Sequence, residues 1–436
     1  MIFFPRRRGQ VLLVLLTLLA LLGPYGDGPV FALDKNTYKN LKTFSEVLDL
    51  VEKNYVEPVG SDKLLQGAIN GMMKSLDPHS AFMTAEMYKD LEIETRGSFG
   101  GLGIEITILK DVLTVVSPIE DTPAYQAGIK AGDQILKIDG KSTKDITITE
   151  AVKQLRGPKD TQVTLTIFHE GMAKPKDIVI TRSVIQIRSV KSKLYDGQIG
   201  YLRLSQFQER TVEDLKKALQ EIAAKAAPLR GIVLDMRNNP GGLLHQAVEV
   251  SDLFLKSGGI VSTRGRSQSM ESRSVAKDDG SEPTCPIIVL VNEGTASAAE
   301  IVSGALQDNG RAVILGTQTF GKASVQTIIP LEDGSALKLT TARYYTPKGR
   351  SIQAEGIIPD IVVKFVRPVE NKNGGEGLPQ LREQDLKGHI KSAKEIEAKP
   401  EEPKQEKEED PLDQDNQLKH AIDILKSWDI LKNLKG

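Results

Sequence analysis

The chain is poor in several residue types whose presence would have fixed its chemistry. Of 436 residues only Cys285 is a cysteine, which excludes an intrachain disulfide. A thiol nucleophile would need a histidine base, and nothing in the sequence places one beside it. Cys285 reads as a packed residue near the start of a strand. Histidine is scarce, with five copies, and no His/Asp/Glu cluster shows ligand spacing, so no metal site and no cofactor are expected. Basic charge is not in excess: 57 Lys and Arg against 58 Asp and Glu leave a net charge of −1. Nucleic acid is therefore not an expected partner. The N-terminal apolar run over residues 11–22 falls short of the roughly 20 residues that span a bilayer.

That run has Arg6, Arg7 and Arg8 before it and the small-residue site Val30-Phe31-Ala32 after it. This is the layout of a secretory signal. Residues 1–32 are expected to be a signal peptide cleaved after Ala32, with an uncleaved anchor as the alternative. Either way the body is exported, to the periplasm or its membrane surface.

Residues 33–92 read as a helical N-terminal region, with Phe44, Val47, Leu48 and Val51 at spacings of three and four. Asp77-Pro78-His79 interrupts it as a turn, with His79 a structural residue. Over 93–184 the signal changes to short strands punctuated by glycine. The loop Gly101-Leu102-Gly103-Ile104 lies upstream of the run from Ala127 to Gly140. Together they resemble a PDZ domain (α+β) of the bacterial, circularly permuted kind. Such a loop aims backbone N–H groups at a terminal carboxylate while the peptide adds a strand to the sheet, and glycine permits the close approach. From 185 to 366 strands and helices alternate, with buried-type strands at 231–235 and 287–291. That implies an α/β core with a mixed, partly parallel sheet and a site at its carboxyl edge. Residues 367–436 are a Lys/Glu/Pro-rich linker ending in a helix with Leu418, Ile422, Leu425 and Trp428 as its apolar stripe. The stripe reads as a self-association element rather than one docked on the chain's own body.

The chemistry centres on Ser297, with Lys322 and Gln326 lying 25 and 29 positions downstream. A serine hydroxyl is a poor nucleophile until a base takes its proton, and a lysine held neutral can do so. Its pKa must then fall from about 10.4, which burial can bring about; Phe320 and Val325 are candidates for the apolar surroundings. Gln326, four residues on, falls on the same side of the chain as Lys322 in strand or helix and can accept a hydrogen bond from the amine. Ser297 sits where a buried strand passes through a small-residue turn into a helix, so free N–H groups of the first helical turn face its hydroxyl. Ala298 is one expected oxyanion donor. Gly241 or Gly242, in Asn238-Asn239-Pro240-Gly241-Gly242, is the other.

The segments Gly97-Ser98-Phe99-Gly100-Gly101-Leu102-Gly103-Ile104, Asp235-Met236-Arg237-Asn238-Asn239-Pro240-Gly241-Gly242, the Ser297 turn and Phe320-Gly321-Lys322 resemble those of the carboxy-terminal processing (tail-specific) proteases, over roughly residues 35–365. The resemblance implies a Ser-Lys serine endopeptidase with Ser297 as nucleophile, Lys322 as general base and Gln326 as the residue orienting it. It implies a PDZ domain that reads apolar C-terminal tails of protein substrates and gates the site, with Arg156 coupling the two. A homo-oligomer through the terminal helices and an activating adaptor are further partners to consider. Thr295 and Ala323 depart from the family pattern, which commonly has serine and glycine there. The rivals are a Ser-His-Asp hydrolase using His245, which reads instead as a helix-surface residue, and a non-catalytic PDZ binding protein, against which the intact Ser297, Lys322 and Gln326 set argues.

Overall fold

The computed structural model describes residues 35–366 and 415–433, apart from Lys110, Glu170, Ala173 and Ala227. The segment expected to be a signal peptide and most of the charged linker lie outside the described residues. The chain divides after Gly71 into two units.

The first unit holds α1 (Lys35–Asn54) and most of α2 (Ser61–Lys74). None of its described residues is buried, and Leu41, Phe44, Val47 and Leu50 lie exposed on α1.

In the second unit, β1 (Ala81–Met83) and α3 (Ala85–Arg96) follow the Asp77 turn. The strand was not legible in the helical periodicity. It pairs antiparallel with a strand more than 250 residues away, a long-range partner that local pattern does not encode. The PDZ domain comprises β2 (Ser98–Gly101), β3 (Ile104–Leu109), β4 (Val112–Pro118), α4 (Pro123–Gln126), β5 (Gln134–Ile138), β6 (Lys141–Ser142), α5 (Ile148–Leu155), β7 (Gln162–Phe168), β8 (Lys176–Thr181) and β9 (Ser183–Gln186). Its main sheet runs β3-β4-β5-β7-β8 with β6 on β5, so β3 is an edge strand. Leu113, Val115, Ile135, Ile138, Leu165 and Ile167 fill its core. Thr147 caps α5 in a reciprocal box with Glu150: the Glu150 N–H donates to the Thr147 hydroxyl at 3.2 Å, and the Thr147 N–H to the Glu150 carboxylate at 3.0 Å. Strands β2 and β9 pair with each other where the chain enters and leaves the domain.

The α/β body follows with β10 (Val190–Tyr195), β11 (Ile199–Leu204), α6 (Thr211–Lys225), β12 (Gly231–Asp235), α7 (Leu244–Asp252), β13 (Gly259–Gly265), β14 (Ser272–Val275), β15 (Ile287–Val291), α8 (Ala298–Asp308), β16 (Ala312–Gly316), β17 (Ser324–Pro330), β18 (Ala336–Tyr345), β19 (Ile361–Val362) and α9 (Asn416–Asn433). Its central sheet is mixed, in the order β10-β11-β12-β15-β16-β19, antiparallel at β10/β11 and parallel elsewhere. Alternate residues of each strand serve opposite faces. Ile232, Leu234, Val289 and Ile314 join α6, α7 and α8 in one core, whereas Val233, Ile288, Leu290 and Leu315 form a second one with α9. Both faces are covered, which is why these strands read as continuous apolar runs.

The cover of the second face corrects an expectation. Ala421 and Leu425 of α9 are fully buried on the chain's own sheet, and a Cβ on Gly231 would stand 2.7 Å from Leu425. Leu418, Ile422 and Leu425 of the C-terminal stripe are thus taken up within the chain rather than by a second copy, and only Trp428 stays exposed. An apolar stripe requires a cover, and its spacing alone does not specify whose surface supplies it. A separate antiparallel sheet, β1-β18-β13-β14 with β17 on β18, lies beside the central one.

Candidate active site

β12 and β15 are parallel neighbours, so the loops leaving their carboxyl ends emerge side by side. The first loop carries Asn238-Asn239-Pro240-Gly241-Gly242, the second leads into Ser297. They are tied by a reciprocal pair: the Asn238 N–H donates to Asn292 Oδ1 at 2.7 Å, and Asn292 Nδ2 to Asn238 Oδ1 at 2.8 Å. The Ala296 N–H donates to the Asn239 carbonyl at 2.9 Å. Thr295, fully buried, donates its hydroxyl to the Met236 carbonyl at 2.8 Å. The departure from serine at this position therefore keeps its hydroxyl and uses it.

Ser297 immediately precedes α8 with φ 55° and ψ −117°. Positive φ at a non-glycine residue is strained backbone, of the sort that persists where surrounding structure enforces it. Enforcement here comes from Glu300. This carboxylate is fully buried. Its Oε2 accepts from the Ser297 and Lys322 N–H groups, each at 2.9 Å. Its Oε1 accepts from the Gly321 N–H at 2.8 Å and the Thr319 hydroxyl at 2.5 Å. One oxygen thus holds residues 297 and 322 together, and their amide nitrogens lie within twice 2.9 Å of each other. On the opposite side the buried Tyr344 hydroxyl donates to the carbonyl oxygens of Ser297, at 2.9 Å, and of Lys322. Burial pushes the Glu300 carboxyl up to about 7, against the pull of hydrogen bonds from Thr319, Lys322, Ser297 and Gly321.

Lys322 and Gln326 belong to the antiparallel sheet, Lys322 just ahead of β17 and Gln326 within it. The Gln326 Nε2 donates to the Ser324 hydroxyl at 2.9 Å and the Thr340 hydroxyl at 3.2 Å. Its donor end is therefore turned into the sheet. Ala323 is fully buried, with its N–H on Gln353 Oε1 at 2.9 Å and its carbonyl accepting the Tyr344 N–H at 2.9 Å. A methyl group is thus accommodated at the position where the resemblance led to an expectation of glycine.

Of the two glycines considered as oxyanion donors, Gly241 is already committed: its N–H bonds Asn239 Oδ1 at 2.9 Å. It abuts the elbow closely, since a Cβ there would stand 2.8 Å from Ser297 Cβ and 3.0 Å from the Ala298 nitrogen. The Gly242 N–H has no protein partner among the described residues, and Gly242 is exposed. The loop is braced from below by Arg237. This guanidinium meets Asp235 at 2.7 Å, Asp415 at 2.8 Å and Gln417 at 3.0 Å. Burial would raise the Asp235 carboxyl, but the Arg237 and Arg203 cations and the Arg237 hydrogen bonds bring it below the usual carboxylate range.

Sequence reasoning missed Glu300, Tyr344 and Arg237. For Glu300 a signal existed: a Ser with a Glu three residues later is the spacing of a helix-start box. The other two act through tertiary contacts that have no local signature. His245 is exposed on α7. Arg156 ends α5, where its guanidinium stacks over Phe99 at 4.6 Å and reaches Asp90 at 3.4 Å. Leu102 and Gly103 form the short loop into edge strand β3, with Leu102 buried. Gly103 has φ 79°, and a Cβ there would strike Thr122 at 2.3 Å. Among the described residues no three His, Cys, Asp or Glu side chains are grouped to hold a metal ion.

An α/β body with a serine elbow at its sheet edge, joined to a PDZ domain, defines a serine-type endopeptidase. Three family models match: peptidase family S41 over residues 198–363, a PDZ domain over 114–167, and the N-terminal domain of the activating protease CtpB over 31–87. A carboxy-terminal-processing protease of Bartonella bacilliformis is 52% identical over 364 residues, covering 83% of both chains. The carboxy-terminal processing protease CtpA of Bacillus subtilis is 38% identical over 319 residues, 73% of this chain and 67% of that one. Among solved structures, a photosystem II D1 C-terminal processing protease is 30% identical, with a TM-score of 0.43 over 74% of this chain and 92% of that one. The chain belongs to the carboxy-terminal processing protease family, within peptidase family S41.

Proposed function

We propose that the chain is an exported endopeptidase in which Ser297 is the nucleophile, Lys322 its general base and Gln326 the group that orients the lysine. The observation that carries this reading is the shared Glu300 oxygen, which fixes the elbow and the lysine loop to each other. In the reaction the neutral Lys322 amine takes the Ser297 proton as the hydroxyl oxygen attacks the scissile carbonyl. The N–H groups of Ala298 and Gly242 stabilise the oxyanion that forms. The lysine then returns the proton to the leaving amine, and water releases the acyl group.

The substrate on this reading is a protein with an accessible apolar C-terminal tail. The tail adds to edge strand β3, and its carboxylate meets backbone N–H groups in the segment Gly101-Leu102-Gly103-Ile104. Two features support it: among the described residues no other strand pairs with that edge, and the loop's carbonyls are already used within the domain. The Leu102 carbonyl accepts from the Ala124 N–H at 3.0 Å, and the Gly103 carbonyl from the Ile119 N–H at 2.8 Å. Tail engagement acts on the site by way of Arg156, and an activating adaptor would act on the same arm. The exposed apolar face of α1 is covered by a second copy of the chain, because a helix without one buried residue cannot hold a fold alone. Export follows from the N-terminal signal, with the periplasm as destination.

The test is hydrolysis of a loosely structured protein with an apolar tail. Ser297→Ala and Lys322→Ala each abolish it, and His245→Ala leaves it intact. Substrate turnover by Ser297→Ala at the wild-type rate would refute the assignment. Fractionation of cells expressing the full chain, with N-terminal sequencing of the mature form, tests export and cleavage after Ala32.

A further inference from the structure

The turn Asp77-Pro78-His79-Ser80 looks in sequence like a break between helices. In the structure it is set into the sheet that carries Lys322 and Gln326. Asp77 and Ser80 are 6% and 5% exposed. Asp77 Oδ1 accepts the N–H groups of His79 and Ser80, each at 2.8 Å, and Oδ2 accepts the Ser80 hydroxyl at 2.7 Å. Those bonds close the turn. Two more reach beyond it to β18: the Thr340 hydroxyl donates to Asp77 Oδ1 at 3.1 Å, and the Thr340 N–H to the Ser80 hydroxyl at 3.1 Å. Directly after the turn, β1 pairs with β18, Ala81 opposite Lys338.

The polarity of this chain of bonds has a consequence. An ionised carboxylate only accepts, so the single Thr340 proton is committed to Asp77. The Thr340 oxygen can then only accept, and it accepts the Gln326 Nε2 at 3.2 Å. Turned end for end, the Gln326 amide would set its oxygen against an oxygen with no proton to offer. The orientation of the amide is therefore dictated from Asp77, two bonds away. Although burial raises the Asp77 carboxyl, the hydrogen bonds from Ser80, His79 and Thr340 outweigh it and hold the group below its usual value, in the accepting form.

We propose that Asp77 is a positioning residue for the peptidase reaction, acting through the Thr340 hydroxyl to hold the Gln326 amide with its donor end in the sheet and its carbonyl end toward the Lys322 amine. This rests on the reading of Gln326 as the group that orients Lys322.

The experiment measures kcat and KM of the full-length protein on an unfolded, apolar-tailed protein substrate. Thr340→Val keeps the volume and the strand preference while removing the hydroxyl, and leaves the Asp77–Ser80 turn closed. It lowers kcat about tenfold, as loss of one such hydrogen bond implies, with KM unchanged. Thr340→Ser restores kcat. Asp77→Ala, which frees the Thr340 proton, gives the same loss, whereas Asp77→Asn, whose amide oxygen can still accept at the Oδ1 position, keeps kcat. Thr340→Ala serves if the valine variant does not fold. In the Thr340→Val/Gln326→Ala double variant the losses do not multiply, because both remove one function. If Gln326→Ala itself leaves kcat unchanged, the reading of Gln326 fails and this proposal with it. If Gln326→Ala lowers kcat but Thr340→Val and Asp77→Ala do not, or the losses of Thr340→Val and Gln326→Ala multiply, this proposal alone is overturned.

Discussion

Glu300 offers the sharpest test of how the site is held. In Glu300→Gln the amide oxygen can occupy the Oε2 position and keep the Ser297 and Lys322 N–H groups, both now 2.9 Å from that atom. The NH2 end then falls where Oε1 accepts Thr319 and Gly321. The Thr319 hydroxyl can turn to accept; the Gly321 N–H cannot, and is left facing a donor. One buried N–H without an acceptor costs about 1–3 kcal/mol. In Glu300→Ala three buried N–H groups lose their acceptor, about 3–9 kcal/mol on the same scale, and nothing ties residue 297 to 322 at that point. The expected order is a modest fall in stability for Gln with kcat within about tenfold of wild type, and for Ala a severe one with kcat down more than about a hundredfold. The pH dependence separates the charged carboxylate from mere volume. A folded-state value near 7 lies above the ordinary 4.5. The resulting stabilisation is full below 4.5 and is lost as pH rises through about 7, roughly 3 kcal/mol in all. Gln lacks that slope. Denaturant melts of the three proteins from pH 4 to 8, with kcat measured in parallel, decide the matter. An Ala variant as stable and as active as wild type would refute the clamp.

The brace beneath the glycine loop makes a second expectation. Asp415→Asn removes one carboxylate from the Arg237 guanidinium, costing about 2 kcal/mol in a denaturant melt, and lowers kcat with KM unchanged because the Gly242 donor is less firmly held; an unaltered melt would count against the brace. Charge placed on the exposed face of α1, as Leu41→Glu with Phe44→Glu, shifts the protein to a lower mass in sedimentation while Ser297 chemistry on a short peptide persists. An unchanged mass would remove α1 from the self-association surface.

Much of the fold was legible because both faces of the central sheet are covered. Ile232, Val233 and Leu234, or Ile288, Val289 and Leu290, are apolar without alternation, and that run between glycine-bearing loops is the mark of a parallel, two-sided strand. The Ser297 elbow was legible for a related reason: small residues must stand where a strand turns abruptly into a helix. The antiparallel sheet was harder to see. Residues 322–326 lie on β17 or just before it, yet strand and helix both put Lys322 and Gln326 on one side, so their spacing could not choose. Pairing of β18 with the distant β1 left no trace in either segment. The C-terminal helix shows the limit most plainly, since an apolar stripe states that something covers it and not what does.

Ser297 lies beyond a strand of the central sheet and Lys322 just ahead of a strand of the antiparallel one, and among the described residues no strand ladder joins the two sheets. Their relation is held by one backbone bond between the two loops, the Phe320 N–H to the Thr295 carbonyl at 3.0 Å, and by side chains, Glu300 and Tyr344 at the residues themselves and Gln353 beside Lys322, all from buried positions. Bonds of this kind are made in a low-dielectric interior and are costly to break. The PDZ domain is tied to α3 differently. Lys153 meets Glu86 at 2.9 Å with both side chains more than half exposed, and Arg156 meets Asp90 at 3.4 Å with the carboxylate largely exposed. Such pairs contribute about 0–1 kcal/mol each and weaken with salt. The two sets of contacts therefore differ in strength by design of their burial. A ligand with a modest preference for one arrangement of the arm has enough free energy to change it, and far too little to pull Ser297 from Lys322. On the proposed reading, control by a bound tail would therefore act through exposed pairs such as Arg156–Asp90 more readily than by separating Ser297 from Lys322.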